Sequence, residues 1–102
     1  LYLIPNYQNP TGVMLSADRR TQILEICARE EIFIVEDNPY GLLGFNGPSP
    51  AAMRSYDSEN VIYLGSFSKT IVPGFRIGWV LLPQDLACCS FHLDARDNVL
   101  KI

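Results

Sequence analysis

Ile32-Phe33-Ile34-Val35-Glu36-Asp37 is a continuous β-branched and aromatic run that ends in two acids. It has no polar alternation, which is how a parallel strand covered on both faces reads. Upstream, Ser16 reads as a helix N-cap, and Asp18 suits the positive end of the helix dipole. Ile23, Leu24, Cys27 and Ala28 recur at helical spacing, which predicts a helix over Ala17 to Glu30 with the arginines and glutamates on its other face. Cys27 reads as core. Before that helix, Leu1-Tyr2-Leu3-Ile4 is a short apolar run ended by Pro5, a further buried strand. Strand, helix, strand at this spacing is a βαβ unit with a right-handed crossover. In open α/β sheets ligands bind at the carboxyl ends of the strands, where Glu36 and Asp37 lie. Two acids there can form a metal site, although no histidine lies near; alternatively Asp37 is a single anion facing a cation. Pro39-Tyr40-Gly41 then turns the chain and sets a phenol one short loop from Asp37.

Residues 42 to 60 are rich in Gly, Pro, Ser and charge, with one helical turn expected at Ala51-Ala52-Met53 and no chemistry read there. Val61-Ile62-Tyr63-Leu64 is the next buried strand, and Ile77 to Leu82 reads as another. The connection between them is too short for a parallel crossover, so the last strand should run antiparallel. Pro83 ends it, and Asp85 is a candidate cap for a last helix, although residues 87 to 102 show poor periodicity. His92, the only histidine, reads as a surface or packed side chain.

The loop between those two strands is Ser66-Phe67-Ser68-Lys69-Thr70-Ile71-Val72-Pro73-Gly74-Phe75-Arg76. A loop held by buried strands is where folds place chemistry. Lys69 and Lys101 are the only lysines. Apolar neighbours can desolvate a lysine, and a neutral amine attacks carbonyls to form a Schiff base. Hydroxyls and a planar guanidinium bind a phosphate dianion. Together they suggest an aldehyde that carries a phosphate, pyridoxal 5'-phosphate. A rival reading is the Ser-x-x-Lys motif of penicillin-recognising hydrolases, but the Ser-Asp-Asn and Lys-Thr-Gly that this family also needs are absent. An ordinary surface lysine and a salt-bridged arginine are the plainer alternative. Asn9-Pro10-Thr11-Gly12 reads by itself as a turn; functionally, Pro10 would hold Asn9 extended, with its amide aimed into a crevice.

The composition bounds the rest. The 102 residues suffice for one small domain and are 48% hydrophobic and 19% charged, a globular balance. The net charge is −3 with no basic cluster, which argues against a nucleic-acid surface in this stretch. No apolar run approaches the roughly 20 residues of a membrane span. Three cysteines, two of them adjacent at Cys88-Cys89, argue against a disulfide framework and fit a reducing, cytoplasmic setting. The ends read as cut within a strand and within a helix, so the expectation is a fragment of a longer protein.

Asn9-Pro10-Thr11-Gly12, Glu36-Asp37-Asn38-Pro39-Tyr40-Gly41 and the Ser66 to Trp79 stretch occur in the order and at roughly the spacing of class I/II aminotransferases. The chain resembles the branch of kynurenine and 2-aminoadipate aminotransferases, as far as Pro83. The resemblance implies the large pyridoxal-phosphate-binding domain of fold type I over residues 1–102: an α/β fold, its mostly parallel sheet carrying one antiparallel strand and helices on both faces. The N-terminal part and the C-terminal small domain lie outside. It implies that Lys69 forms the Schiff base and moves a proton, that Asp37 pairs with the pyridine nitrogen, and that Tyr40 and Asn9 bond the phenolate oxygen. Ser66, Ser68 and Arg76 would hold the phosphate, and no metal is implied. An amino acid and a 2-oxo acid would be the substrates and a homodimer the assembly, with neither nucleic acid nor membrane as partner. This segment alone is not expected to transaminate. Two alternatives share the cofactor contacts. One is the pyridoxal-phosphate-sensing domain of MocR-type transcriptional regulators, in which Asn9 and the Asn-Pro-Tyr-Gly after Asp37 are typically replaced. The other is a lyase of the same fold.

Overall fold

The computed structural model describes residues 1–44, 47–75 and 77–90. Its strands are β1 (Tyr2–Leu3), β2 (Ile34–Asp37), β3 (Val61–Ser66) and β4 (Gly78–Leu81), and its helices are α1 (Ala17–Arg29) and α2 (Gln84–Ser90). The strands form one sheet in the order β1-β2-β3-β4. β1 and β3 both run parallel to β2, and β4 is antiparallel to β3, which is the mixed α/β sheet expected from the run lengths and the short last connection.

α1 forms where the cap and the apolar stripe place it. The Ser16 hydroxyl accepts the N–H of Arg19, Asp18 lies in the first turn and Arg29 in the last. Glu30 caps the helix and Glu31 follows in the left-handed region at φ 54°. The N–H groups of Glu31 and Ile32 donate to the carbonyls of Ala28 and Cys27 at 3.3 and 2.8 Å, which closes the last turn. This closure explains why β2 starts two residues later than the apolar run suggested. The Ile32 amide is committed to the helix end. At its other end β2 runs on through Glu36 and Asp37, and the Asn38 N–H extends the ladder to the Leu64 carbonyl at 3.0 Å.

Alternation along β2 sorts its residues. Ile34 and Glu36 are buried, whereas Val35 and Asp37 are half-buried on the opposite face. Ile34 joins Cys27, Met53 and Val61 in the core, with Leu3, Ile23 and Leu24 packed against them. Cys27 is core, as its spacing suggested. Arg20 is not on the exposed face assigned to the arginines: it is 1% exposed. The reason is helical geometry, since position 20 lies three residues before Ile23 and seven before Cys27, on the same stripe. The expected helical turn near Ala51 is a 3-10 turn two residues later, Met53–Ser55, because Glu36 accepts the N–H groups of Met53 and Arg54 at 3.0 and 3.1 Å. α2 begins directly after Pro83, so Asp85 sits in its first turn rather than at its cap. His92 and Lys101 lie outside the described residues. Among the described residues no helix is long and apolar enough to cross a membrane.

Candidate functional site

The parallel register sets Asp37 level with Leu64, so the carboxyl end of β2 and the last residue of β3, Ser66, rise on the same side of the sheet. Ser66 then organises the loop. Its hydroxyl accepts the Ser68 N–H at 3.1 Å and donates to the Ile77 carbonyl at 3.4 Å, while the Ser66 carbonyl accepts the Thr70 hydroxyl. The Phe67 carbonyl gathers the N–H groups of Thr70, Ile71 and Val72 at 3.3, 2.9 and 3.3 Å. Lys69 is carried on that tight turn. On β4, Trp79 lies across Gly65, where a Cβ would overlap the indole, and stacks on Tyr63 with ring centroids 5.3 Å apart.

Asp37, Ser66, Ser68 and Lys69 line one open cavity of about 320 Å3, walled by apolar side chains that include Leu64 and Val80. The lysine loop and the end of β2 therefore meet. Lys69 itself is exposed, so the described residues do not desolvate it as its apolar neighbours in sequence suggested. Asn9 and Tyr40 do not line this cavity. Asn9 is exposed in a turn in which the Gly12 N–H donates to the Gln8 carbonyl at 2.6 Å, with Gly12 at φ 69° and a cis bond between Asn9 and Pro10. Tyr40 is half-buried in the loop after β2. Arg76 lies outside the described residues. Glu36 and Asp37 point to opposite faces, so the two acids form no joint metal site.

Asp37 has a partner that its neighbours in sequence did not disclose. The Tyr2 phenol donates to Asp37 Oδ2 at 2.5 Å. That hydrogen bond, with burial and the Asp37 charge adding to it, pushes the phenol up to about 12. Beneath the site runs a second unforeseen arrangement. Arg20 donates to Asn6 Oδ1 at 2.6 Å and to the carbonyls of Pro5, Leu15 and Ala51. Asn6 Nδ2 donates to Asn38 Oδ1 at 2.9 Å, and Asn38 Nδ2 to the Tyr63 hydroxyl at 2.8 Å. Burial pushes the Arg20 guanidinium down against the opposing pull of the Glu36 charge. Burial also pushes the Tyr63 phenol up, while the Asn38 bond acts the other way. The sequence signal for Arg20 was its place on the apolar stripe; for Tyr2 it was a polar tip within an otherwise apolar strand.

A carboxylate, two hydroxyls and an amine gather at the carboxyl ends of parallel strands, the place where open α/β sheets bind small molecules. Residues 1–100 match the family model of aminotransferase class I and II, and the chain belongs to that family. It is 48% identical over 81 residues to aromatic-amino-acid aminotransferase 1 of Thermococcus litoralis, a match covering 78% of this chain and 19% of the relative. It is 45% identical over 85 residues to the uncharacterized HTH-type transcriptional regulator YisV of Bacillus subtilis, covering 82% of this chain and 18% of the relative. The kynurenine aminotransferase of Pyrococcus horikoshii superposes with a TM-score of 0.81 at 39% identity, over 86% of this chain and 22% of that one. The chain thus spans about a fifth of the length of the curated relatives it matches.

Proposed function

We propose that the chain is part of the large cofactor-binding domain of a pyridoxal-phosphate-dependent aminotransferase that moves an amino group between an amino acid and a 2-oxo acid. The observation that carries this reading is the shared cavity of Asp37, Ser66, Ser68 and Lys69. Its donor set fits the cofactor: a carboxylate for a cationic ring nitrogen, hydroxyls for a phosphate and an amine for an aldehyde. The Pyrococcus relative is described in complex with PMP, which supports the same assignment.

When bound, the cofactor supplies a cationic ring that takes up negative charge from the substrate carbon. The chain's own residues supply the rest. Asp37 would hold the proton on the ring nitrogen. The Ser66 and Ser68 hydroxyls, with Arg76, would hold the phosphate. Lys69 Nζ would hold the cofactor at its aldehyde carbon and would move a proton at the substrate carbon. Asn9 and Tyr40 lie outside the cavity lining, and the family resemblance alone would assign them to the ring's phenolate oxygen. The working assembly we propose is a cytoplasmic homodimer of the full chain.

Borohydride trapping of the full chain with pyridoxal phosphate, followed by peptide mapping, tests this. The expected adduct is on Lys69, and Lys69→Ala should lower amino transfer by about 1,000-fold or more. An adduct spread over many amines would overturn the reading.

A second reading is favoured by the 45% identity to a transcriptional regulator: the same cavity as the pyridoxal-phosphate sensor of a MocR-type protein. Asn9 and Asn38-Pro39-Tyr40-Gly41 are intact, which supports the enzyme. Turnover of an amino acid with a 2-oxo acid, against cofactor-dependent DNA binding without turnover, separates the two.

A further inference from the structure

We propose that Tyr2 is a positioning residue for Asp37: its hydroxyl holds one carboxylate oxygen, so that the carboxylate turns its other oxygen to the ring nitrogen of the cofactor. This rests on the cofactor reading above and adds a residue that none of the three sequence motifs contains.

The placement follows from the sheet. Tyr2 pairs with Val35 in the parallel register, and Leu3 pairs with Glu36. Side chains alternate along strands, so Tyr2, Val35 and Asp37 share one face, with Tyr2 one rung diagonal to Asp37. From there its hydroxyl reaches Asp37 Oδ2 at 2.5 Å, at the short end for a charge-assisted O–H···O bond. Tyr2 is 58% exposed, and its place in the described core is slight. Its one specific engagement among the described residues is with the carboxylate that lines the cavity.

The chemistry gives this contact a direction. A donor on one carboxylate oxygen fixes the rotation of the whole group. With that oxygen fixed, the other is set to accept the ring N–H, which is where an electron-withdrawing ring needs its proton. The bond to Asp37, then burial and the nearby charge, push the phenol up to about 12, so it remains a donor throughout the neutral range.

The test uses the full chain in wild-type, Tyr2→Phe and Asp37→Asn forms. In cofactor-free protein, ultraviolet titration of tyrosinate should show one phenol ionising near pH 12. That transition should vanish in Tyr2→Phe and move back toward about 10 in Asp37→Asn. With pyridoxal phosphate labelled with 15N in the ring, Tyr2→Phe should move the nitrogen resonance toward its unprotonated position. It should also weaken cofactor binding by about tenfold. Asp37→Asn probes the contact from its other side should Tyr2→Phe fail to accumulate.

Absence of the high phenol transition overturns the contact. A high transition together with unchanged resonance and affinity in Tyr2→Phe overturns the positioning role. Wild-type protein that takes up no pyridoxal phosphate overturns the cofactor reading itself, a result distinct from bound cofactor that is indifferent to Tyr2.

Discussion

Glu36 has no exposed surface and accepts two backbone N–H groups from the 3-10 turn, whereas Asp37, one residue further on, is half-buried, accepts a phenol and lines the cavity. Both are acids at the end of one strand. What separates them is the two-residue period of the pleat, which turns one into the core and the other toward the ligand side. Glu36 sits near the buried charge of Arg20 and fixes where Met53 and Arg54 begin their turn. Removing a buried acceptor leaves donors unpaired in a region that water does not reach, so its cost falls on stability. Asp37 lines the cavity, so on the cofactor reading proposed above its loss falls on binding and chemistry.

The sharpest way to break this comparison is to truncate each acid in the full chain and read both quantities. Asp37→Ala should lower amino transfer by about 100-fold or more while changing unfolding free energy by less than about 1 kcal/mol. Glu36→Ala should cost about 3 kcal/mol in denaturant unfolding, with the cofactor affinity of the folded protein retained. If both variants lose the same quantity, the two faces do not divide the labour as described.

A smaller effect tests the layer beneath. Arg20→Lys keeps the charge but cannot span four acceptors with a planar fork, and should cost about 2 kcal/mol in the same unfolding measurement. A cost as large as that of Glu36→Ala would make the guanidinium, not the carboxylate, the keystone of the core face. The smallest expected effect has the opposite sign. Glu31 occupies the left-handed position after α1, which suits glycine. Glu31→Gly should raise stability by about 1 kcal/mol and leave cofactor binding unchanged, because the position is remote from the cavity.

Much of this arrangement was legible in local sequence. The uninterrupted run before Glu36 marked a covered parallel strand, Ser16 marked the start of α1, and the short connection after Val61 to Leu64 demanded an antiparallel return. The errors arose where one residue served two elements. Ile32 looked like strand but gives its amide to the helix end. Arg20 looked like solvent-facing charge because its type outweighed its spacing, and its acceptors at Pro5, Asn6 and Ala51 lie far off along the chain. The Tyr2–Asp37 bond needs the register between strands 35 residues apart. Register depends on pairing across the sheet and is written in no single stretch.

The sheet also implies an order in time. β3 and β4 are joined by the residues that carry Lys69, so they form a hairpin, whereas β1 and β2 come together only across α1, and β2 reaches β3 across a long loop. Local pairings close with less loss of chain entropy than distant ones. The lysine side of the cavity should therefore assemble early, and the Asp37 side only when the parallel strands have docked. Cofactor uptake during refolding would then mark the last pairing to close, and a chain stalled before it would carry the Lys69 amine with no carboxylate across from it.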